Sequence, residues 1–489
     1  MHSGNGLSAA IPNGACIRRL LQFVAKTMPI SAEPKHRMKP SEFRNWVRHT
    51  LGLDHAIAFT VLARAWSSAA GMITVLLIAR FLSPAEQGYY YTFGSLVALQ
   101  IVFELGFSIV ILQLASHESA HVTISHDGVV TGDPVAHERL ASVLQKSVRW
   151  YTVAAIIMAC ILMPAGFIFF SQQRHSGPVI AWQMPWCFVA LAATLTFQID
   201  PVLSFLEGCG YVANIARLRL TQAMLGGGLM WLALSTHHGL FAPAMMILGQ
   251  VIAGGVWLYR RRSLLLGLLR YRTAANRILW SQEVWPFQWR IAVSWICGYF
   301  IYQLFNPVLF AYKGAVAAGQ MGMSLTIAGA LSSVAIAWVN TKAAPFGALI
   351  ARKEYEQLDR LFFRALRHSI FVYCAGALLV WLGAVYLSAE HMRLAQRVLS
   401  PPVLGLLLLA TLLNVIVFAQ SIYLRAHKQE KYMTSSIASA ILVSFSTYFF
   451  GKRYGAAGMV TGYLAIGLFG GIWYSTFLFV KYRREWHAN

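Results

Sequence analysis

Twelve stretches of mostly apolar residues, each long enough to cross a bilayer as a helix, divide this chain, and its lysines and arginines crowd alternate gaps between them. A hydrocarbon core about 30 Å thick takes on the order of 20 helical residues to cross, because a helix rises about 1.5 Å per residue. Lipid also forces every backbone donor and acceptor to pair within the segment, so helices are the natural solution. The stretches are 57–82, 89–115, 148–170, 179–206, 212–235 and 240–259, then 291–312, 321–349, 370–387, 403–424, 433–450 and 456–480. Hydrophobic residues make up 57% of the 489 and charged residues only 12%, which leaves little chain for a separate soluble domain. The pattern predicts an all-α polytopic membrane protein with about twelve transmembrane helices.

The charge distribution orients it. With the N-terminus on one side, 31 of the 40 lysines and arginines fall on that side and seven on the other. The positive-inside rule then places both termini in the cytoplasm. The net charge of +22 reads as a cytoplasmic rim facing anionic headgroups, and nucleic acid is not expected as a partner. Residues 1–56 form a basic cytoplasmic tail without the apolar run and cleavage site of a secretory signal. Residues 481–489 form the other tail. The six cysteines have no CxxC spacing, so buried thiols are expected and no metal or cofactor.

Two halves are visible, 57–259 and 291–480. Ser83-Pro84-Ala85-Glu86-Gln87-Gly88 joins the first two spans, and a short loop ending Ala317-Ala318-Gly319-Gln320-Met321-Gly322 joins the seventh and eighth. Long charged connections follow at 116–147 and 350–369. Six helices plus six makes two parallel repeats, which usually enclose a central site, so the expectation is two six-helix lobes around a cavity. Between them, residues 260–290 carry Arg260-Arg261-Arg262 and the leucines 264, 265, 266, 268 and 269, the pattern of a basic helix lying at the cytoplasmic interface.

The run Leu77-Ile78-Ala79-Arg80-Phe81-Leu82-Ser83-Pro84-Ala85-Glu86-Gln87-Gly88-Tyr89-Tyr90 resembles the first hairpin of the bacterial polysaccharide transporter family, the O-antigen flippases. Tyr423-Leu424-Arg425-Ala426-His427-Lys428-Gln429-Glu430 and Tyr454-Gly455-Ala456-Ala457-Gly458 are similar to that family's last third. The family belongs to the multidrug, oligosaccharidyl-lipid and polysaccharide (MOP) exporter superfamily. The resemblance implies alternating access in the bacterial inner membrane and a substrate of glycan linked through pyrophosphate to undecaprenol, for O-antigen, capsule or exopolysaccharide synthesis. It also implies membrane lipids, a polysaccharide polymerase and a chain-length regulator as partners. One departure stands out: Asn306-Pro307 occupies a place where relatives carry an acid, which weakens any ion-coupling role there.

Charges inside a span cost about 2.5 to 3.5 kcal/mol at the bilayer centre, so each one invites a functional reading. Arg64, Arg217, Arg219, Arg290 and Lys342 are the candidates for a cationic cavity that would bind pyrophosphate. Plainer alternatives are snorkelling, a pair between Arg64 and Glu104, and pairs of Arg217 and Arg219 with Asp200 and Glu207. Glu104 and Asp200 are the carboxylates well inside spans and the candidates for ion coupling. Gln100, Gln198, Gln222, Gln303, Asn306, Asn414 and Gln420 could meet sugar hydroxyls, although amides in membranes often join helices.

Two competing readings remain. A drug or small-molecule exporter of the same superfamily would share the twofold layout. A membrane enzyme polymerising or ligating lipid-linked sugars would need a sizeable outer loop, and every outer connection here is short, so catalysis is not expected. No P-loop is present for direct use of ATP. His117, His121, His126 and His137 with Asp127 and Asp133 lie in 116–147, where a solvated loop is favoured over a metal site.

Overall fold

Each apolar stretch is helical in the computed structural model of the chain, which describes residues 55–125, 128–172, 180–273, 278–427 and 432–487. The first passage is α1 (His55–Phe81). The second is α2 (Pro84–Val97), α3 (Gln100–Glu104) and α4 (Phe107–Ser119), bent by 46° where Leu105 and Gly106 adopt positive φ. Then come α5 (Pro134–Ser171), α6 (Gln183–Gly208), α7 (Val212–Ser235), α8 (Ala242–Tyr259) and the short α9 (Arg262–Arg270). The second half runs α10 (Trp285–Tyr302), α11 (Phe305–Lys313), α12 (Ala315–Asn340), α13 (Ala343–Ala351), α14 (Tyr355–Ala389) and α15 (Pro401–Ala426). It closes with α16 (Met433–Ile466), turned at Gly455 with φ 67, and α17 (Ile472–His487). The protein is therefore an all-α, multi-pass membrane protein.

Local chemistry explains where these helices start. Ser83 and Glu86 cap α2 reciprocally: Ser83 Oγ accepts from the Glu86 N–H at 3.2 Å, and Glu86 Oε2 accepts from the Ser83 N–H at 2.7 Å. Asp133 caps α5 through the Val135 N–H, and Pro134 supplies the preset φ of a first helical residue.

The structure departs from the hydropathy pattern outside the apolar runs. Most of 116–147 and 350–369 is helix that continues the adjoining passages, because beyond the lipid a helix tolerates polar residues on every face. The remainder of the first connection is an antiparallel hairpin, β1 (Val122–Ile124) on β2 (Val130–Gly132), with Val122 opposite Gly132. His126 and Asp127 lie outside the described residues. The basic segment after Arg260 also differs from a helix floating on lipid. Leu264 and Leu268 of α9 are buried in the same core as Leu140, Ala141 and Leu144 of α5, while Leu266 and Leu269 are exposed. The Gln145 amide donates to the carbonyls of Leu268, Leu269 and Tyr271 at 2.8 to 3.3 Å, satisfying the end of α9.

The cores locate the hollow. The far end of the bundle is the end away from α17's C-terminus, where α1 turns into α2 and α11 into α12. There one core joins both halves: Tyr89, Phe93, Phe170 and Trp186 pack with Phe305, Phe310, Met321 and Leu404. Toward the terminal end the core divides in two. One part lies among α4 to α7 with α9, and the other among α12 to α15 with α17. Halves that share a core at one end and keep separate cores at the other leave a space between them.

Candidate substrate cavity

That space is a cavity of about 730 Å³ walled by both halves. The first half contributes Tyr90, Tyr91, Gly94 and Ser95 of α2 and Pro243, Met246 and Ile247 of α8. The second half contributes Gln303 and Asn306, a face of α12 from Gly322 to Ile336, and Thr411, Asn414, Phe418 and Tyr463. Among the described residues no Lys, Arg, His, Asp or Glu lines it. Its polar surface consists of hydroxyls and amides set among aromatic rings.

Several of these groups hold the wall together. Asn306 Nδ2 donates to Ser95 Oγ at 3.1 Å, a buried bond between the halves. Asn414 Nδ2 donates to the Tyr463 hydroxyl at 3.0 Å and to the Ala410 carbonyl at 2.8 Å. Thr326, Ser332, Ser333 and Thr411 return their hydroxyl protons to carbonyls four residues back, which leaves oxygen lone pairs to accept from a guest. Asn306 Oδ1 is buried without a hydrogen-bond partner.

The far end is sealed by close backbone contact. A Cβ at Gly88 would stand 1.9 Å from the Ala315 carbonyl oxygen, one at Gly319 would stand 2.9 Å from the Gly88 nitrogen, and one at Gly322 would stand 2.4 Å from the Tyr91 ring. Only glycine permits this approach. The two hairpins with similar sequences thus meet face to face. Gln87, 1% exposed, fastens them by donating to the carbonyls of Gly319 at 2.8 Å and Arg397 at 2.9 Å.

Those charged candidates whose side chains are described lie elsewhere. Arg219 is exposed and pairs with Glu207 at 3.3 Å, which is one of the neutralising contacts available on adjacent helices. Arg217 is exposed one turn-face away. Arg290 is exposed beside the Trp289 ring, 5.6 Å from its centroid, and Lys342 is half-buried at the break between α12 and α13. The side chain of Arg64 lies outside the described residues. Glu104 sits at the bend of the second passage and accepts from Ser108 at 2.6 Å. Tyr151 is within electrostatic reach of both Glu104 and Asp200, so these carboxylates share one locality inside the first half, away from the central cavity.

Six of the amides can be placed, and two of those on the cavity also join helices. Gln303, Asn306 and Asn414 line the cavity, whereas Gln198, Gln222 and Gln420 donate to Tyr151 O, Gln250 O and Thr476 Oγ1 and join helices. Missing from the sequence candidates were the serines and threonines of α12, which carry no intrinsic mark separating a cavity wall from a helix contact. Among the described residues no cluster of His, Cys, Asp and Glu could hold a metal ion.

No protein-family model matches the chain, and no curated protein matches it in sequence. Solved structures do match in fold. An inward-facing multidrug resistance MATE family transporter of the MOP superfamily is similar with a TM-score of 0.56 at 13% identity, covering 85% of this chain and 99% of that one. The lipid II flippase MurJ in an inward closed conformation gives 0.56 at 12% identity, covering 86% and 87%. An outward-facing MATE family transporter gives 0.52 at 13% identity, covering 88% and 96%. The cavity between two joined halves is thus set in a fold shared with these solved structures.

Proposed function

We propose that this protein is a flippase that carries undecaprenyl-pyrophosphate-linked oligosaccharide across the bacterial inner membrane by alternating access, with both termini in the cytoplasm. The observation that carries the reading is the chemistry of the cavity. Among the described residues the wall sets hydroxyls and amides among aliphatic and aromatic side chains and has no carboxylate, which suits a neutral polyhydroxylated guest better than an organic cation. A lipid II flippase is among the structural neighbours.

In this reading the lobes are residues 57–259 and 291–480, joined by the basic segment 260–290. Arg64, Arg217, Arg219, Arg290 and Lys342 act as a cationic rim that draws the pyrophosphate to the cytoplasmic mouth. Glu104 and Asp200 bind the coupling ion. A polymerase and a chain-length regulator receive the product. A second reading, export of a small molecule or drug, is supported by the MATE family neighbours.

The test is deletion of the gene followed by leaflet-resolved analysis of labelled lipid-linked glycan. Loss of glycan from the outer leaflet with accumulation in the inner leaflet is expected. Unchanged translocation together with new sensitivity to small toxic cations would favour the second reading.

A further inference from the structure

A second, smaller chamber of about 300 Å³ lies inside the second half, and its wall differs from that of the main cavity. Tyr302, Asn414, Phe418 and Tyr463 line both spaces, so the chamber borders the main cavity. Its surface is rich in serine hydroxyls from α10, α15, α16 and α17, among them Ser436 and Ser439. Arg425, in the last turn of α15, lines the chamber toward the terminal end and is the one charged residue that does so among those described. A π-helical turn, Gly467–Gly471, forms another part of the wall. Such turns interrupt regular helix pairing and recur at functional sites.

A plainer purpose for these hydroxyls is helix joining, and some serve it. Ser435 Oγ lies 3.4 Å from Ser475 Oγ, and the Tyr432 hydroxyl donates to the Ser475 carbonyl at 2.9 Å. Joining does not explain a polar chamber bordered by an arginine at one end. The outer side of the same helix pair supplies a second observation. Cys297 and Phe300 of α10 and Ile441 and Phe445 of α16 border a wholly apolar groove of about 570 Å³. One pair of helices thus offers a polar, cationic chamber on one side and a greasy groove on the other, the two chemistries of a phosphorylated lipid.

We propose that the chamber is the phosphate subsite of the transport path, where Arg425 and the serine hydroxyls hold the phosphate of an isoprenoid-linked substrate while its glycan occupies the main cavity and its isoprenoid chain lies in the outer groove. A guanidinium offers forked, charge-assisted bonds to phosphate oxygens, and hydroxyls complete their shell. The assignment rests on the flippase reading above.

Binding of defined lipids to the purified full-length protein in detergent, read by native mass spectrometry, tests it. The wild type retains undecaprenyl pyrophosphate about tenfold or more over undecaprenol, as loss of a hydrogen-bonded charge pair implies. It also prefers that lipid to phosphatidylglycerol. Arg425→Gln abolishes the preference, Arg425→Lys keeps part of it, and Ser439→Leu, which fills the chamber and leaves Arg425 in place, weakens it severalfold. Should Arg425→Gln fail to fold, Ser439→Leu decides. Wild-type binding by both Arg425→Gln and Ser439→Leu would overturn the subsite and leave the flippase reading intact. Absence of any preference for undecaprenyl pyrophosphate in the wild type would overturn both. Equal retention of phosphatidylglycerol would overturn the assignment to substrate and mark a site for lipid phosphate at large.

Discussion

Asn306 shows how a single amide connects stability with recognition in this bundle. Its Nδ2 spans the halves to Ser95, and its Oδ1 is left as a buried acceptor on the cavity wall. Asn306→Leu removes both, and in the flippase reading it lowers the rate of glycan translocation about fivefold, the effect of one net hydrogen bond of roughly 1 kcal/mol, with unchanged membrane insertion. A rate equal to the wild type in proteoliposomes would remove Asn306 from the path. At Gly88 the constraint is steric. Gly88→Val drives a side chain into the Ala315 carbonyl, so the closed far end loses about 1–3 kcal/mol and a thiol reagent reaches a cysteine placed at Gln87 faster than in the parent. The paired glycines were legible in the sequence as parts of similar loops. Their contact was not, because nothing in a short loop says which other loop it faces. The same limit applies to the intramembrane amides, whose side depends on the rotation of each helix about its axis.

The elements were legible wherever lipid dictates them. An apolar run of sufficient length has one structural answer in a bilayer, and α6, α7, α8 and α15 begin and end within a few residues of their runs. Past the headgroups that compulsion ends, which is why the hairpin at Val122–Gly132 and the long extensions of α5 and α14 carry no comparable hydropathy signature. Electrostatics orders this outer layer. Arg139 of α5 bonds Glu118 at 2.8 Å and Glu283 at 2.5 Å, tying the start of the second half to the first. Burial pushes the Glu283 carboxyl up, but the Arg139 hydrogen bond and the Leu279 N–H outweigh it and hold it below its usual value of 4.5. A depressed carboxyl stabilises the fold above its unfolded value and loses that contribution as pH falls through the folded one. Glu283→Gln therefore lowers thermal stability by about 1 kcal/mol at pH 7, and the gap from wild type narrows as pH falls through the acid range. A gap that persists at acid pH in a melting series would assign the loss to packing.

At the scale of the whole molecule, the distribution of its cores defines what it can do. One aromatic core, with Tyr89 and Phe310 4.8 Å apart between ring centres, welds the halves at the far end, while each half keeps a core of its own toward the termini. In the flippase reading, transport to the other side requires that weld to open and the terminal ends to approach, and the glycine contacts and Gln87 bonds are the small, polar, separable part of it. That the chain folds as an all-α membrane bundle was legible from its apolar runs. The uncharged wall was not, since charge within spans drew attention to residues that lie away from the hollow.

In the flippase reading a lipid-linked glycan passes through this hollow when the far end opens. The measurement is translocation of fluorescent undecaprenyl-pyrophosphate oligosaccharide in proteoliposomes, using a protein whose six native cysteines are serine and whose Gln87 and Arg397 are cysteine, joined by a short reducible cross-linker. The account predicts that cross-linking stops translocation and reduction restores it. Translocation at an undiminished rate with the link intact would contradict it.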